Sequence, residues 1–449
     1  MASPYISSPA PGSEPRSTGR YTILVTAFLG WMFAGTLMAV TPLTSRSATI
    51  DFLGQISDAQ VGKWFAWFNA SFLFGAAAGG MLFGWIGDRA GRARAMGLSI
   101  LCFTSLTGIS YFAQTVEQLL VLRFLACLGV GGMWPNGIAL VSEAWSNVSR
   151  PMLAGLIGTA ANVGLVCIGL LACYVRITPD NWRWTMLLVG APIVLGVYVL
   201  AAVPESPRWL AGRESAGMRP PSPVKEIFMP PLLAVTLVGI CLGTIPLLGG
   251  WGSGNWLVPW ADKVGGNADP YLKAWTQVSR SFGGAISSLL GGWVAGFFGR
   301  RRSYFLISLG ALATSAYIFR WLSPAVSGQF GAVDYLRGLV GLIPPVPLES
   351  VNWFTLWAFL LGVVGGFYFG WLPLCLPELF PTRVRSTGAG VTFNFGRIAS
   401  GAGVLAAGWL MSHFDGDHGK VGAVTSLVYA FGMVIIWFAP DTSKKQLED

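Results

Sequence analysis

Long apolar runs recur along the whole chain, separated by short segments that hold nearly all of its charge. Each run approaches the ~20 residues that a helix needs to cross a bilayer core. The pattern predicts helices near 21–43, 62–86, 95–114, 119–141, 152–174, 184–203, 229–257, 271–297, 303–322, 351–375, 388–411 and 421–439. Runs of this length and uniformity predict an all-α membrane protein of about twelve transmembrane helices, not a β-barrel.

Composition agrees, since 53% of the 449 residues are hydrophobic and 11% charged, the inverse of what a soluble domain needs. The first twenty residues, rich in Ser and Pro, have neither the apolar core nor the cleavage site of a secretory signal and are expected to form a disordered tail. Loop charge predicts the orientation. With the N-terminus inside, 17 of the 29 Lys and Arg fall on the cytoplasmic side, 9 on the far side and 3 within helices. Both termini are therefore expected in the cytoplasm. The same asymmetry explains the net charge of +9 without invoking nucleic acid, because the cations sit in separate loops and not on one face.

Cys102, Cys127, Cys167, Cys173, Cys241 and Cys375 all lie in apolar segments with no CxxC spacing, and read as small buried hydrophobes. His413 and His418, beside Asp415 and Asp417, read as a solvated loop in preference to a metal site.

The chain repeats itself. Gly84-Trp85 through Gly91-Arg92 matches Gly292-Trp293 through Gly299-Arg300, 208 residues on. Glu143 with Arg150 matches Glu378 with Arg385, 235 residues on, so 27 residues are inserted in the second copy, and the segment 323–350 is the obvious place. Two pseudo-symmetric six-helix bundles follow: a tail at 1–20, a bundle at 21–203, a loop at 204–228, a second bundle at 229–439 and a tail at 440–449.

Four motifs carry a family resemblance over nearly the whole chain. They are Gly84 to Arg92 (GWIGDRAGR), Arg123-Phe124-Leu125 followed by Gly129, Gly131 and Gly132, Pro204 to Leu210 (PESPRWL), and Pro377 to Arg385 (PELFPTRVR). The chain resembles the major facilitator superfamily, in its branch of sugar porters, organic-ion carriers and metabolite symporters. That resemblance implies a secondary transporter working by alternating access.

The chemistry of these motifs can be read directly. Gly84 and Gly87 allow close helix approach, and Asp88 at a membrane edge can pair with Arg92. Glu143, Arg150, Glu205, Arg208, Glu378, Arg383 and Arg385 are expected to form a cytoplasmic belt of ion pairs that break as the bundles rock. The alternative is that inside loops are merely basic. The second copy has Gly296 and Phe297 where Asp88 and Arg89 stand in the first, so a symmetric latch is not expected.

Three cations lie well inside helices, where each costs about 2.5–3.5 kcal/mol on insertion scales and usually marks a pathway. Arg280 and Arg397 are each about ten residues into a helix, near mid-depth at ~1.5 Å per residue, and Arg123 is nearer the outer face. Every Asp and Glu falls in a loop or at a helix end, and uncompensated cations in a cavity invite an anion.

By resemblance, proton-coupled sugar porters carry a first-helix Asp where this chain has Ala34, and hold hydroxyls with Gln on the fifth and seventh helices, where this chain has none. Gly250-Trp251-Gly252, Asn255-Trp256 and Asn394-Phe395-Gly396-Arg397 resemble the seventh and eleventh helices of metabolite and organic-acid symporters. The expected solute site is Arg280, Arg397, Asn394, Trp251, Asn255, Trp256 and Arg123, with Trp251 and Trp256 flanking glycines that break the helix. The competing reading has Arg280 and Arg397 bonding carbonyls at glycine-rich contacts near Gly283, Gly284 and Gly401. Asn69, Asn136 and Asn162 are either cavity donors or interhelical glue.

The expected function is transport of a small, carboxylate-bearing metabolite, with a neutral-sugar uniporter as the alternative. No HExxH, GxSxG or Walker sequence occurs, so neither an enzyme nor a nucleotide-driven pump is expected, and no cofactor. The partners expected are the solute and the lipid bilayer, without nucleic acid, for a monomer in a bacterial inner membrane.

Overall fold

The computed structural model describes residues 17–145, 150–206, 209–210, 223–266, 268–324, 350–381 and 384–442. The proposed tails are thus described only at their inner ends, and most of the 204–228 and 323–350 loops lies outside the described residues. The spans are, in order, Ser17–Leu53, Asp58–Ala90, Arg92–Ile109, Val116–Ala144, Arg150–Tyr174, Trp184–Ala202, Leu233–Gly265, Leu272–Phe297, Arg300–Trp321, Trp353–Glu378, Arg385–His413 and His418–Phe438. They form two halves of six.

Nine of these helices are long and apolar enough to cross a membrane on composition alone. The eighth, ninth and eleventh are not, and the eighth and eleventh are those that carry Arg280 and Arg397. The eighth is inverted relative to a soluble helix. Phe282, Leu289 and Trp293 are exposed, while Thr276, Gln277, Ser281 and Ser287 are buried. A helix wetted on its inner face and lipid-facing on the other has this arrangement.

The first span runs ten residues past its expected end. Hydropathy fades at Thr44, Ser45, Ser47 and Thr49, yet all four are buried. Thr44 and Thr49 donate to the carbonyls of Val40 and Ser45 one turn back, so these hydroxyls travel inside the helix without needing water. At its start, residues 17–20 expected in the tail already belong to the helix.

The second span starts at a capping box in which Ser57 Oγ accepts from the Gln60 amide and Gln60 Oε1 from that of Ser57. It ends at Gly91 with φ +111°, and the eighth ends at the equivalent Gly299 with φ +82°. Both repeats therefore turn on a backbone conformation that only glycine adopts freely.

Within each half the helices meet at backbone distance. A Cβ on Gly79 would sit 1.9 Å from the Leu128 carbonyl oxygen, joining spans two and four, and one on Gly164 would sit 1.9 Å from that of Met32, joining one and five. In the second half a Cβ on Gly362 would sit 1.9 Å from the Arg280 carbonyl oxygen, so the tenth span lies directly on the backbone that carries that arginine. Between the halves, the second span packs along the eleventh and the fifth along the eighth.

Two smaller expectations change. His413 closes the eleventh helix, stacked on Trp409, and His418 opens the twelfth and is buried, its Nδ1 3.1 Å from the Gly416 carbonyl oxygen. His418 is therefore not the solvated loop residue expected, whereas His413 is exposed at the end of its helix, and the connection between them is only four residues long. Cys167 is exposed on the fifth span, unlike its buried counterparts Cys127, Cys173 and Cys375.

Gly79→Val should lower the melting temperature of the detergent-purified protein by an amount equivalent to about 1–3 kcal/mol or prevent folding, since backbone cannot yield to a Cβ. Gly365→Ala, which meets nothing within 4 Å, should leave it unchanged. Equal thermal-unfolding curves for the two variants would contradict the packing described.

Candidate substrate site

The seventh span breaks where its glycines stand. The helix from Leu233 ends at Gly252, Ser253 leaves helical geometry at φ −124°, ψ −69°, and a single 3-10 turn over Gly254–Trp256 leads into Leu257–Gly265. The break turns the side chain of Asn255 into the bundle. Asn255 Oδ1 accepts from Arg280 Nη2 at 2.7 Å, and its Nδ2 donates to Asn69 Oδ1 of the second span at 3.3 Å. A Cβ on Gly254 would stand 3.4 Å from Arg280 Nη1, so the turn passes in van der Waals contact with the guanidinium.

This Arg280–Asn255–Asn69 chain crosses between the halves and is under-satisfied. Arg280 Nε and Asn69 Nδ2 are buried without a partner, as is Gln277 Oε1 one turn away, whose Nε2 donates to Ser281 at 2.7 Å. Among the described residues no carboxylate pairs with Arg280. Buried polar atoms without partners are uncommon, and several at one place mark where a ligand's polar groups can go.

Arg397 sits differently. Its Nη1 donates both to the Ala76 carbonyl of the second span and to Asn394 Oδ1, each at 3.1 Å, and its guanidinium lies 4.7 Å over the Phe393 ring. At 6% exposure it is bound into the contact between the halves, where Gly80 makes room for Asn394. The carbonyl-bonding alternative therefore describes this Nη1, although the carbonyl is that of Ala76 and not one near Gly401. Two aromatic pairs flank the break, Phe72 with Trp251 at 4.3 Å and Phe65 with Trp256 at 4.7 Å. Trp251 is half-buried. Trp256 is fully buried, edge-on to His418, and its indole Nε1 is likewise buried without a partner.

Arg123 is not part of this group. Its Nε donates to the Phe68 carbonyl at 3.0 Å, and it lines a separate cavity within the first half. The expected clustering of three arginines fails because the fourth span packs on the second through Gly131, whose absent side chain brings it against Ala76. Of the asparagines, Asn136 ties spans four and two through the Phe83 carbonyl at 3.0 Å, and Asn162 reaches Ser288 of the eighth span at 3.4 Å.

Sequence reasoning missed Gln277 and a cluster of tyrosines. Tyr304, Tyr368 and Tyr429 from spans nine, ten and twelve pack ring to ring at 5.0 and 6.2 Å, with Tyr368 and Ser308 hydroxyls 2.7 Å apart. The Tyr429 ring fills the space beside Gly249 next to the helix break. Gln277 was legible as a glutamine one turn before Arg280; the tyrosines are single residues on separate spans and carry no local signal.

The two ends of the bundle are held in different ways. At the end away from the start of the first span, contacts cross between the halves. Lys263 pairs with Asp58 at 3.0 Å, itself 2.7 Å from Arg46; Lys273 Nζ donates to the Ile177 carbonyl at 2.9 Å; Arg176 donates to the Tyr271 hydroxyl at 3.2 Å.

At the opposite end, the described contacts of Asp88, Arg92, Glu143, Glu205 and Glu378 stay inside a half. Asp88 pairs with Arg92 at 2.7 Å. Glu205 accepts the Ala93 amide at 3.0 Å, at the N-terminus of the third helix, and Glu143 accepts from the Ser206 hydroxyl. Among the described residues those two carboxylates thus meet helix-end and hydroxyl donors. In the second half Glu378 takes both Arg300 Nη2 and Nε, at 2.9 and 3.0 Å, and the Thr442 hydroxyl at 2.7 Å. Arg300, the repeat equivalent of Arg92, was not among the expected residues. It turns to Glu378, since the preceding eighth span has Gly296 where the second span has Asp88. Arg208, Arg383 and the side chain of Arg150 lie outside the described residues. Arg385 begins the eleventh helix.

Two six-helix halves that share a polar, discontinuous centre define a carrier of the alternating-access class. Residues 21–404 match the Major Facilitator Superfamily, and the chain belongs to that family. It is 28% identical over 399 residues to the "Putative niacin/nicotinamide transporter NiaP" of Bacillus subtilis, covering 86% of this chain and 88% of that one. It is 26% identical to a benzoate transport protein of Acinetobacter baylyi, covering 76% and 74%. Its fold matches that of the xylose transporter XylE from E. coli in a partially occluded inward open conformation, with a TM-score of 0.70 at 18% identity, over 96% of this chain and all of that one.

Asp58→Asn removes the charge shared by Arg46 and Lys263. The pair is part-exposed and contributes at most about 1 kcal/mol, so the population open at that end should rise up to about fivefold. Spin labels at Gln55 and Lys420, in a Cys167→Ala background, should show a longer-distance population growing in the variant; an unchanged distribution would mean the pair does not hold the halves.

Proposed function

We propose that this carrier moves a small aromatic monocarboxylate, with Arg280 as the principal charge that receives it. The observation that carries this reading is a guanidinium beside a helix break, bonded to a neutral amide, with an unpaired buried Nε and no carboxylate partner among the described residues. A carboxylate supplies the missing acceptor and charge together, worth about 1.5–3 kcal/mol for a charged hydrogen bond. The aromatic ring fits the Trp251–Phe72 wall. Niacin and benzoate, both in the names of the two relatives, are aromatic monocarboxylates, and nicotinamide, also in the first name, is the neutral amide of niacin. Arg397 then works between the halves, releasing the Ala76 carbonyl as solute binds or as the second and eleventh spans slide.

In this reading the bundles at 21–203 and 229–439 rock about the packed pairs two–eleven and five–eight. The Lys and Arg excess supports termini on the cytoplasmic side, and the bonds crossing at the far end then mean the outer path is the one closed. Asp88–Arg92 and Arg300–Glu378 act as braces within a half, with Glu143 and Glu205 anchoring the segment after the sixth span. With Ala34 in place of a first-span acid and no acid at mid-depth, uniport or anion exchange is favoured over proton coupling through a membrane carboxylate. A monomer in a bacterial inner membrane suffices for all of this.

A second reading, facilitated transport of a neutral sugar, has one observation in its favour, the buried unpaired Gln277 Oε1, which can accept from a hydroxyl. The two separate cleanly in proteoliposomes. Arg280→Gln should lower benzoate or nicotinate uptake at least tenfold and abolish thermal stabilisation by those acids, leaving the ligand-free melting temperature equal or higher. Unchanged acid uptake, or competition by xylose in preference to benzoate, would displace the carboxylate reading.

A further inference from the structure

The first half contains a cavity that the substrate site does not use. Thr41, Ser45, Phe68, Thr107 and Arg123 contribute to its wall, and its volume is about 30 Å³. That is roughly two to three times the space one water requires and too little for a ring-bearing acid. Arg123, 7% exposed, spends its Nε on the Phe68 carbonyl and leaves Nη2 buried without an acceptor. Thr41 Oγ1 and Ser45 Oγ are likewise buried and unpartnered. Three side chains from two spans, each with a buried unpartnered atom able to donate, thus line one void. No acidic residue lines that void, and among the described residues none pairs with Arg123.

We propose that this cavity binds a small monovalent inorganic anion of halide size, held by Arg123 Nη2 and the hydroxyls of Thr41 and Ser45. Water would satisfy the hydroxyls but leave the guanidinium charge uncompensated inside a lipid-embedded bundle, where an unpaired cation is costly. A halide supplies the charge and accepts from all three donors at once. Neighbouring hydroxyls point to the same division of labour, since Thr44 and Thr107 already donate to carbonyls of their own helices at 2.7 and 2.6 Å. Only Thr41 and Ser45 are left uncommitted at this wall. The site also touches the solute path, because Phe68, which accepts from Arg123, precedes Asn69, which joins Asn255 and Arg280. Filling the cavity therefore fixes the stretch of the second span against which the solute site is built.

The test uses purified full-length protein, with sodium bromide or chloride against sodium gluconate at constant ionic strength. The expected result is a saturable rise in melting temperature with the halides alone, and an anomalous bromide peak beside Arg123 Nη2 in crystals. The double variant Thr41→Val with Ser45→Ala, which keeps Arg123 and near-native volume, should weaken halide stabilisation at least tenfold in concentration. Arg123→Gln should abolish it, and Arg280→Gln should leave it intact, which separates this site from the carboxylate reading. Absence of halide stabilisation in the unmodified protein, density for water alone in the cavity, or an unaltered halide response in the double variant would each overturn the assignment.

Discussion

A positive charge with no carboxylate beside it, held inside a lipid-embedded bundle, is the constraint around which this structure is arranged. Such a charge costs about 2.5–3.5 kcal/mol to insert and must be met by neutral dipoles. Arg123 takes the Phe68 carbonyl, Arg397 the Ala76 carbonyl and Asn394, and Arg280 the amide of Asn255. All three solutions recruit the second or seventh span. The second span therefore contributes dipoles to each arginine site, directly or through Asn69, and the seventh must break to deliver Asn255.

Backbone-close packing makes those arrangements possible. Glycines at the crossings of spans two and four, one and five, and eight and ten remove the side chains that would hold helices apart, so each half behaves as a firm body. The contacts between halves are softer. They consist of long packed pairs, a few hydrogen bonds at mid-depth and part-exposed pairs at one end, each of a size that binding energy can overcome. A stiff half and a yielding seam are what rocking requires.

Internal repetition was legible, but its chemistry diverges. Gly91 and Gly299 occupy the same positive-φ turn in both copies, whereas Arg92 and Arg300 find different acids because Gly296 replaces the counterpart of Asp88. Among the described residues, the carboxylates of the belt expected from loop charges meet helix-end and hydroxyl donors and, at Glu378, one part-buried bidentate arginine. Charge counts reveal which residues lie at an end of the bundle. They do not reveal whether a carboxylate will meet a guanidinium or a helix N-terminus, since both satisfy it and the choice depends on chain paths that are distant in sequence.

The sequence alone determined what is periodic or local: the number of spans, the duplication, the glycines that break the seventh helix, and the presence of arginines too deep to be incidental. Hydrophobic length and backbone conformational preference act over a few residues, so a linear reading captures them. Tertiary structure decided what depends on helix rotation and crossing. It separated Arg123 from Arg280, turned Arg397 onto a carbonyl of the opposite half and gathered three tyrosines from three spans. The physical reason is that a side chain's partner in a bundle is set by the angle at which whole helices meet, and that angle is fixed by glycines and side-chain volumes scattered over hundreds of residues.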